Sequence, residues 1–218
     1  LHNEQLLGAA WISLRIALMN ATLAVVLGTL AGTALVRFGR FRGRSALALM
    51  IGAPLVMPDV ILGLASLLLF VAMEQLIGWP AGRGMTTITI AHVTFSMAYV
   101  AVIVQSRLVR LDPSLEEAAM DLGARPWKVF FVITLPLIAP ALAAGWLLAF
   151  TLSLDDLVIA SFTSGPGAST LPMVVYSSVR LGVSPEINAL ATVLVALVTI
   201  GIVIAGGSMQ RKARQTQV

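Results

Sequence analysis

Five long runs of apolar residues divide the chain: 8–36, 45–73, 85–107, 134–161 and 187–209. Each is long enough for the about 20 residues that a helix needs to cross a bilayer core. Short polar stretches separate them, and no linker or low-complexity segment intervenes. The pattern predicts an all-α integral membrane protein, a single domain over 1–218 with five transmembrane helices. Gly28 and Gly32 in the first run have the spacing that lets two helices approach closely. Pro54 and Pro58 predict kinks within the second run. Ser164-Gly165-Pro166-Gly167 predicts a turn, and Thr170-Leu171-Pro172 the start of a short helix reaching Arg180. Ser184-Pro185-Glu186 predicts the start of the last span.

One polar stretch is more elaborately punctuated than a plain loop. Between the third and fourth runs, about 108–133, Asp112-Pro113 predicts a helix start, with Asp112 as cap and Pro113 in the first turn. Glu116 and Glu117 follow where the helix dipole favours negative charge. Gly123 suits the left-handed conformation that ends a helix, and Pro126 predicts a second short helix over 127–132. The result is a compact charged knuckle.

Composition and charge fix the solvent and the sidedness. The chain of 218 residues is 58% hydrophobic and 11% charged, against about 25% charged in soluble domains. Mean hydropathy is +0.95 and the pI near 10.3. The basic residues flank the apolar runs, so they read as orientation signals and not as a nucleic-acid surface. Arg37, Arg40, Arg42, Arg44, Arg110, Arg125, Lys128, Arg211, Lys212 and Arg214 fall on one set of loops, and only Arg83 and Arg180 on the other. The positive-inside rule puts the first set, with the knuckle and the C-terminus, in the cytoplasm. The N-terminus then lies outside. The chain begins at Leu1 with no Met, and one more helix is expected upstream. Lipid contact by the basic turn 37–44 is a secondary reading. Without cysteine there is no thiol chemistry, and His2 and His92 stand too far apart for a His metal motif. No metal cluster and no Ser/His/Asp arrangement is visible for an enzyme.

Acids inside the spans are the candidate chemistry. A carboxylate at membrane depth costs ~3 kcal/mol on insertion scales, so it has a partner or a use. Asp59 follows Pro58 and either caps a restarting helix or faces a polar path. Asp155 and Asp156 close the fourth run; on one helix they point about 100° apart. Either one of them lines a route for a cation, or they are buried structural acids with satisfied partners, or both simply reach the outer interface. His92, Thr94, Ser96 and Tyr99 in the third run read mainly as interhelical hydrogen-bonding groups.

The knuckle also carries a signature. Glu117, Ala118, Ala119, then Gly123, then Ile133, Leu135 and Pro136 match, position by position, a motif of permease subunits of binding-protein-dependent ABC importers. The segments 36–43, 53–59, 77–80, 153–162, 164–167, 170–172 and 185–189 resemble the polyamine permeases of that family, those for putrescine ahead of those for spermidine and putrescine. The resemblance implies a type I importer permease fold in a bacterial inner membrane, with the knuckle as its coupling helix. It implies a second, homologous permease, two cytoplasmic ATPases that bind Mg-ATP, and a periplasmic polyamine-binding protein. This chain itself has no Gly-x4-Gly-Lys-Ser/Thr loop and binds no nucleotide. On this reading Glu117 makes a charged contact to the ATPase, with Ala118, Ala119, Gly123 and Ala124 close to its surface. Asp59, Asp155 and Asp156 are the candidates for the cation path. The same architecture with another solute, such as spermidine or ferric ion, is the nearest alternative. A proton-coupled carrier is the alternative of another class, and it has no use for the knuckle.

Overall fold

The computed structural model describes residues 4–181, with isolated helical positions between 189 and 199. Among the described residues all regular structure is helical. Most of the predicted last span over 187–209, and the basic tail, lie outside them.

The first run forms a single helix, α1 (Glu4–Arg37), and the third another, α4 (Met85–Val109). The second run departs from expectation. It is not one kinked span but two helices, α2 (Arg44–Val56) and α3 (Asp59–Ile77). Met57 is extended because the ring of Pro58 disfavours helical geometry in the residue before it. Only α3 of this pair has the length to cross a membrane.

The knuckle forms α5 (Ser114–Asp121), and Gly123 follows it with φ 86°. The expected second short helix is not separate. α6 (Pro126–Val129) runs through a π turn at Phe130–Thr134 into α7 (Leu135–Leu154), and the whole counts as one span, Pro126–Leu154. Pro136 has no N–H, and the wider turn, closed by Leu135 N–H on the Phe130 carbonyl, absorbs that defect. At its other end the fourth run stops at Leu154, seven residues early. A break at 155–157 leads to the short α8 (Val158–Thr163), and α9 (Leu171–Leu181) forms where a short helix was expected.

The core sits where α1, α4 and α7 meet. Ala21, Ala24, Val100, Val104, Leu108, Ile138 and Ala149 pack there. The predicted small-residue pair explains how close α1 comes to α4: a Cβ on Gly28 would lie 2.8 Å from the Val100 side chain. Asn20, fully buried, donates to Ser96 Oγ at 3.0 Å and to the Ala149 carbonyl at 2.8 Å, so one amide links all three helices. The two broken helices form a second layer: α3 packs on α8, with Gly63 under Phe162 and Ile159. At the end away from the knuckle, Leu171 N–H donates to Ser13 Oγ at 2.7 Å and fixes the start of α9 on α1.

Candidate functional site

Two groups of residues stand out, one at each end of the core. The first is the knuckle. Asp112 Oδ1 accepts from Ser114 N–H at 3.0 Å, and this bond holds the Asp112 carboxyl below the usual carboxylate range. That contribution to the helix start is present above the ordinary carboxylate pKa and is lost as pH falls through the lowered one. The Ala124 N–H reaches back to the Ala119 carbonyl at 3.1 Å, closing the end of the helix around Gly123. Glu117, Ala118 and Gly123 are exposed, while Ala119 and Ala124 are half-buried. α5 has no buried residue at all. It presents the first motif positions, Glu117 and Ala118, on an open surface.

Glu116, one position earlier, turns the other way. Its Oε2 lies 3.0 Å from Arg37 Nε at the end of α1, and Arg37 Nη2 donates to Oε1 at 3.3 Å. Thr134 Oγ1 donates to the same Oε1 at 2.7 Å. Sequence reasoning used Arg37 only as an orientation charge and missed this contact. Nothing local signals a pair separated by 79 positions. A cavity of about 550 Å³ borders it, lined by Leu30, Phe38, Met120, Trp127 and Phe131 among others.

The second group surrounds the breaks. Asp155 and Asp156 do not share a helix, so the expected 100° relation does not apply. Asp156 begins α8: its Oδ1 accepts from Ala160 N–H at 2.8 Å and its Oδ2 from Ile159 N–H at 3.4 Å. The same Oδ1 lies 3.2 Å from His92 Nε2, and His92 Nδ1 lies 2.8 Å from Ser153 Oγ. A Ser–His–Asp chain therefore exists in space although none was visible in the sequence. It is a brace and not a hydrolytic centre. His92 is 1% exposed and Ser153 6%, and the carboxylate is occupied in starting a helix. His92 is thus an interhelical partner, as is Ser96, while among the described residues Thr94 bonds only within its own helix.

Asp155 is exposed and lies within electrostatic reach of Asp59, Asp156 and His92. Asp59, also exposed, stands in the first turn of α3. It lies one turn before Gly63, the contact point with α8. The structure thus groups all three candidate acids around two helix breaks, Asp156 partnered and the other two open. Breaks of this kind free backbone groups, and at membrane depth such backbone is tolerated where it is buried in protein or lines a cavity.

Comparison with known proteins agrees with this anatomy. Residues 24–215 match the family model described as binding-protein-dependent transport system inner membrane component. The chain is 65% identical over 215 residues to the putrescine transport system permease protein PotI of Escherichia coli strain K12, covering 99% of this chain and 76% of that protein. It is 42% identical over 197 residues to the spermidine/putrescine transport system permease protein PotC of the same strain, covering 90% and 72%. Among solved structures, the MetNI methionine ABC transporter in an inward-facing form has a TM-score of 0.75 at 19% identity, covering 94% of both chains. A bacterial ABC transporter involved in import of the polysaccharide alginate has a TM-score of 0.71 at 18% identity, covering 97% of this chain and 80% of that one. These likenesses identify the fold as that of type I importer permeases. The chain belongs to the family of inner membrane components of binding-protein-dependent transport systems, the non-catalytic permeases of ABC importers.

Proposed function

We propose that this chain is the permease subunit of an ATP-driven polyamine importer, with putrescine as its solute. The observation that carries this reading is the 65% identity, over 99% of the chain, to a permease named for putrescine transport. The whole of 1–218 works as one permease domain beside a second, homologous permease. Two ATPases bind Mg-ATP below the knuckle, and a polyamine-binding protein delivers solute from the periplasm. The knuckle and the C-terminus face the cytoplasm, as the distribution of basic residues supports. Glu117 makes the charged contact to the ATPase, and Ala118, Ala119, Gly123 and Ala124 let its surface come close. The exposure of Glu117, Ala118 and Gly123 supports this. ATP binding closes the ATPase pair, draws the two knuckles together and turns the helices outward-open. Hydrolysis resets them.

Asp59, Asp155 and Asp156 make the path attractive to a cation. Asp155 and Asp59 meet the solute, and Asp156 keeps the break in shape. Their grouping at two helix breaks supports this division. Spermidine is the second reading, favoured by the 42% identity to a spermidine/putrescine permease. The test is uptake of radiolabelled putrescine into proteoliposomes holding the full complex and its binding protein. ATP-dependent uptake, weakly competed by spermidine, is expected. Uptake abolished by equimolar spermidine moves the substrate to spermidine. No ATP-dependent uptake of either polyamine overturns the reading.

A further inference from the structure

We infer that Glu116 is the positioning residue through which movement of the knuckle enters the membrane helices. This rests on the reading of α5 as the helix that docks on an ATPase.

The observation behind it is how little of α5 reaches the core helices, apart from the chain's own continuation through α6 into α7. α5 buries no residue. Among the described residues, Glu116 is the only α5 side chain with a polar contact outside the knuckle. An open groove of about 550 Å³ lies between Met120 and Trp127 of the knuckle segment and Leu30 and Phe38 of the α1 segment, all four exposed. Apolar side chains on opposite walls of such a groove forfeit direct dispersion contact, so displacement of one wall exerts little force on the other. The ion pair lines the same groove and crosses it. Adjacent residues on a helix point about 100° apart, so Glu116 faces the bundle while Glu117 faces outward.

Both ends of the contact are anchored. Arg37 is the last residue of α1, and Arg44 Nη2 donates to the Leu35 carbonyl at 3.0 Å, holding that helix end. Thr134 is 2% exposed and closes the π turn that leads into α7. α1 and α7 are two of the three core helices, joined again by Asn20 at the middle of α1. One carboxylate thus joins the knuckle to both. The link is an ion pair with one charge-assisted hydrogen bond, from Arg37 Nη2, reinforced by the short Thr134 bond to the same carboxylate.

The test uses the complete complex. Glu116→Gln keeps an acceptor for Thr134 and removes the charge that holds Arg37. The expected result is an ATPase that still copurifies and still hydrolyses ATP within about two-fold of wild type, with uptake lowered about ten-fold. The charge-reversed pair Arg37→Glu with Glu116→Arg is expected to restore uptake to within about three-fold. Loss of uptake and hydrolysis in equal proportion, no loss of either, or no restoration by the reversed pair overturns the inference. A spin label on cysteine at exposed Trp11, in a chain with no other cysteine, gives a readout independent of the solute. It is expected to change with nucleotide in the wild type and not in Glu116→Gln; a change that persists in the variant overturns the inference. A wild-type complex with no nucleotide-dependent change at all sinks the docking reading instead.

Discussion

Gly28 decides how deeply α1 lies against α4. A Cβ there would stand 2.8 Å from Val100 Cβ and 2.9 Å from the Met97 carbonyl oxygen. A carbonyl within a helix cannot swing aside, so even Gly28→Ala must separate the two helices. We expect a loss of about 1–3 kcal/mol, the usual range for overpacking. Gly52→Ala in α2 is the control, because its new methyl meets nothing within 4 Å. That change is expected to be neutral or to stabilise by about 0.4–1 kcal/mol. Thermal unfolding of the two variants in detergent checks the difference, and equal midpoints would refute it. The spacing of Gly28 and Gly32 was legible in the sequence because close packing needs small residues at four-residue intervals. The identity of the facing helix was not, since nothing local encodes a partner so distant along the chain. Asn20 escaped notice for a similar reason: a single amide in an apolar run has no pattern, and its meaning comes from Ser96 and Ala149.

The elements repeat this lesson at the breaks. Apolar runs locate spans, but hydropathy is blind to whether the backbone inside a run is continuous. Pro58 predicts a kink and is a full interruption, with Met57 at ψ 137°. At 155–157 no proline or glycine marks the break. It is stabilised from a distance, by His92 on α4 holding the carboxylate that starts α8. The knuckle, in contrast, was legible because caps, glycine and proline act locally. If the α2–α3 break serves transport, restoring helical continuity must cost function more than folding. Pro58→Ala returns a backbone N–H that can bond the Pro54 carbonyl and frees residue 57 to become helical. Membrane content is expected to stay near wild type while uptake falls at least about ten-fold. Wild-type uptake in this variant would make the break dispensable.

At the scale of the whole molecule, three helices form a core and two breaks lie beside it, while the exposed knuckle stands at the opposite end. The outer face of α5 carries the first three motif positions, with Glu117 and Ala118 exposed, and Gly123 follows it exposed as well. The Glu117 carboxylate makes no hydrogen bond or ion pair among the described residues, so no partner in this chain depends on its charge. A substitution there therefore separates docking from folding. Glu117→Lys reverses the sign at the proposed ATPase contact and leaves the Glu116–Arg37 pair in place. Membrane insertion and thermal stability are expected to stay within about 0.5 kcal/mol of wild type, as for surface changes generally. Copurification of the ATPase and ATP-dependent uptake are both expected to be lost. A Glu117→Lys permease that still retains its ATPase and transports normally would remove the charged contact from the account. The docking surface would then rest on the close fit of Ala118, Ala119 and Gly123 alone.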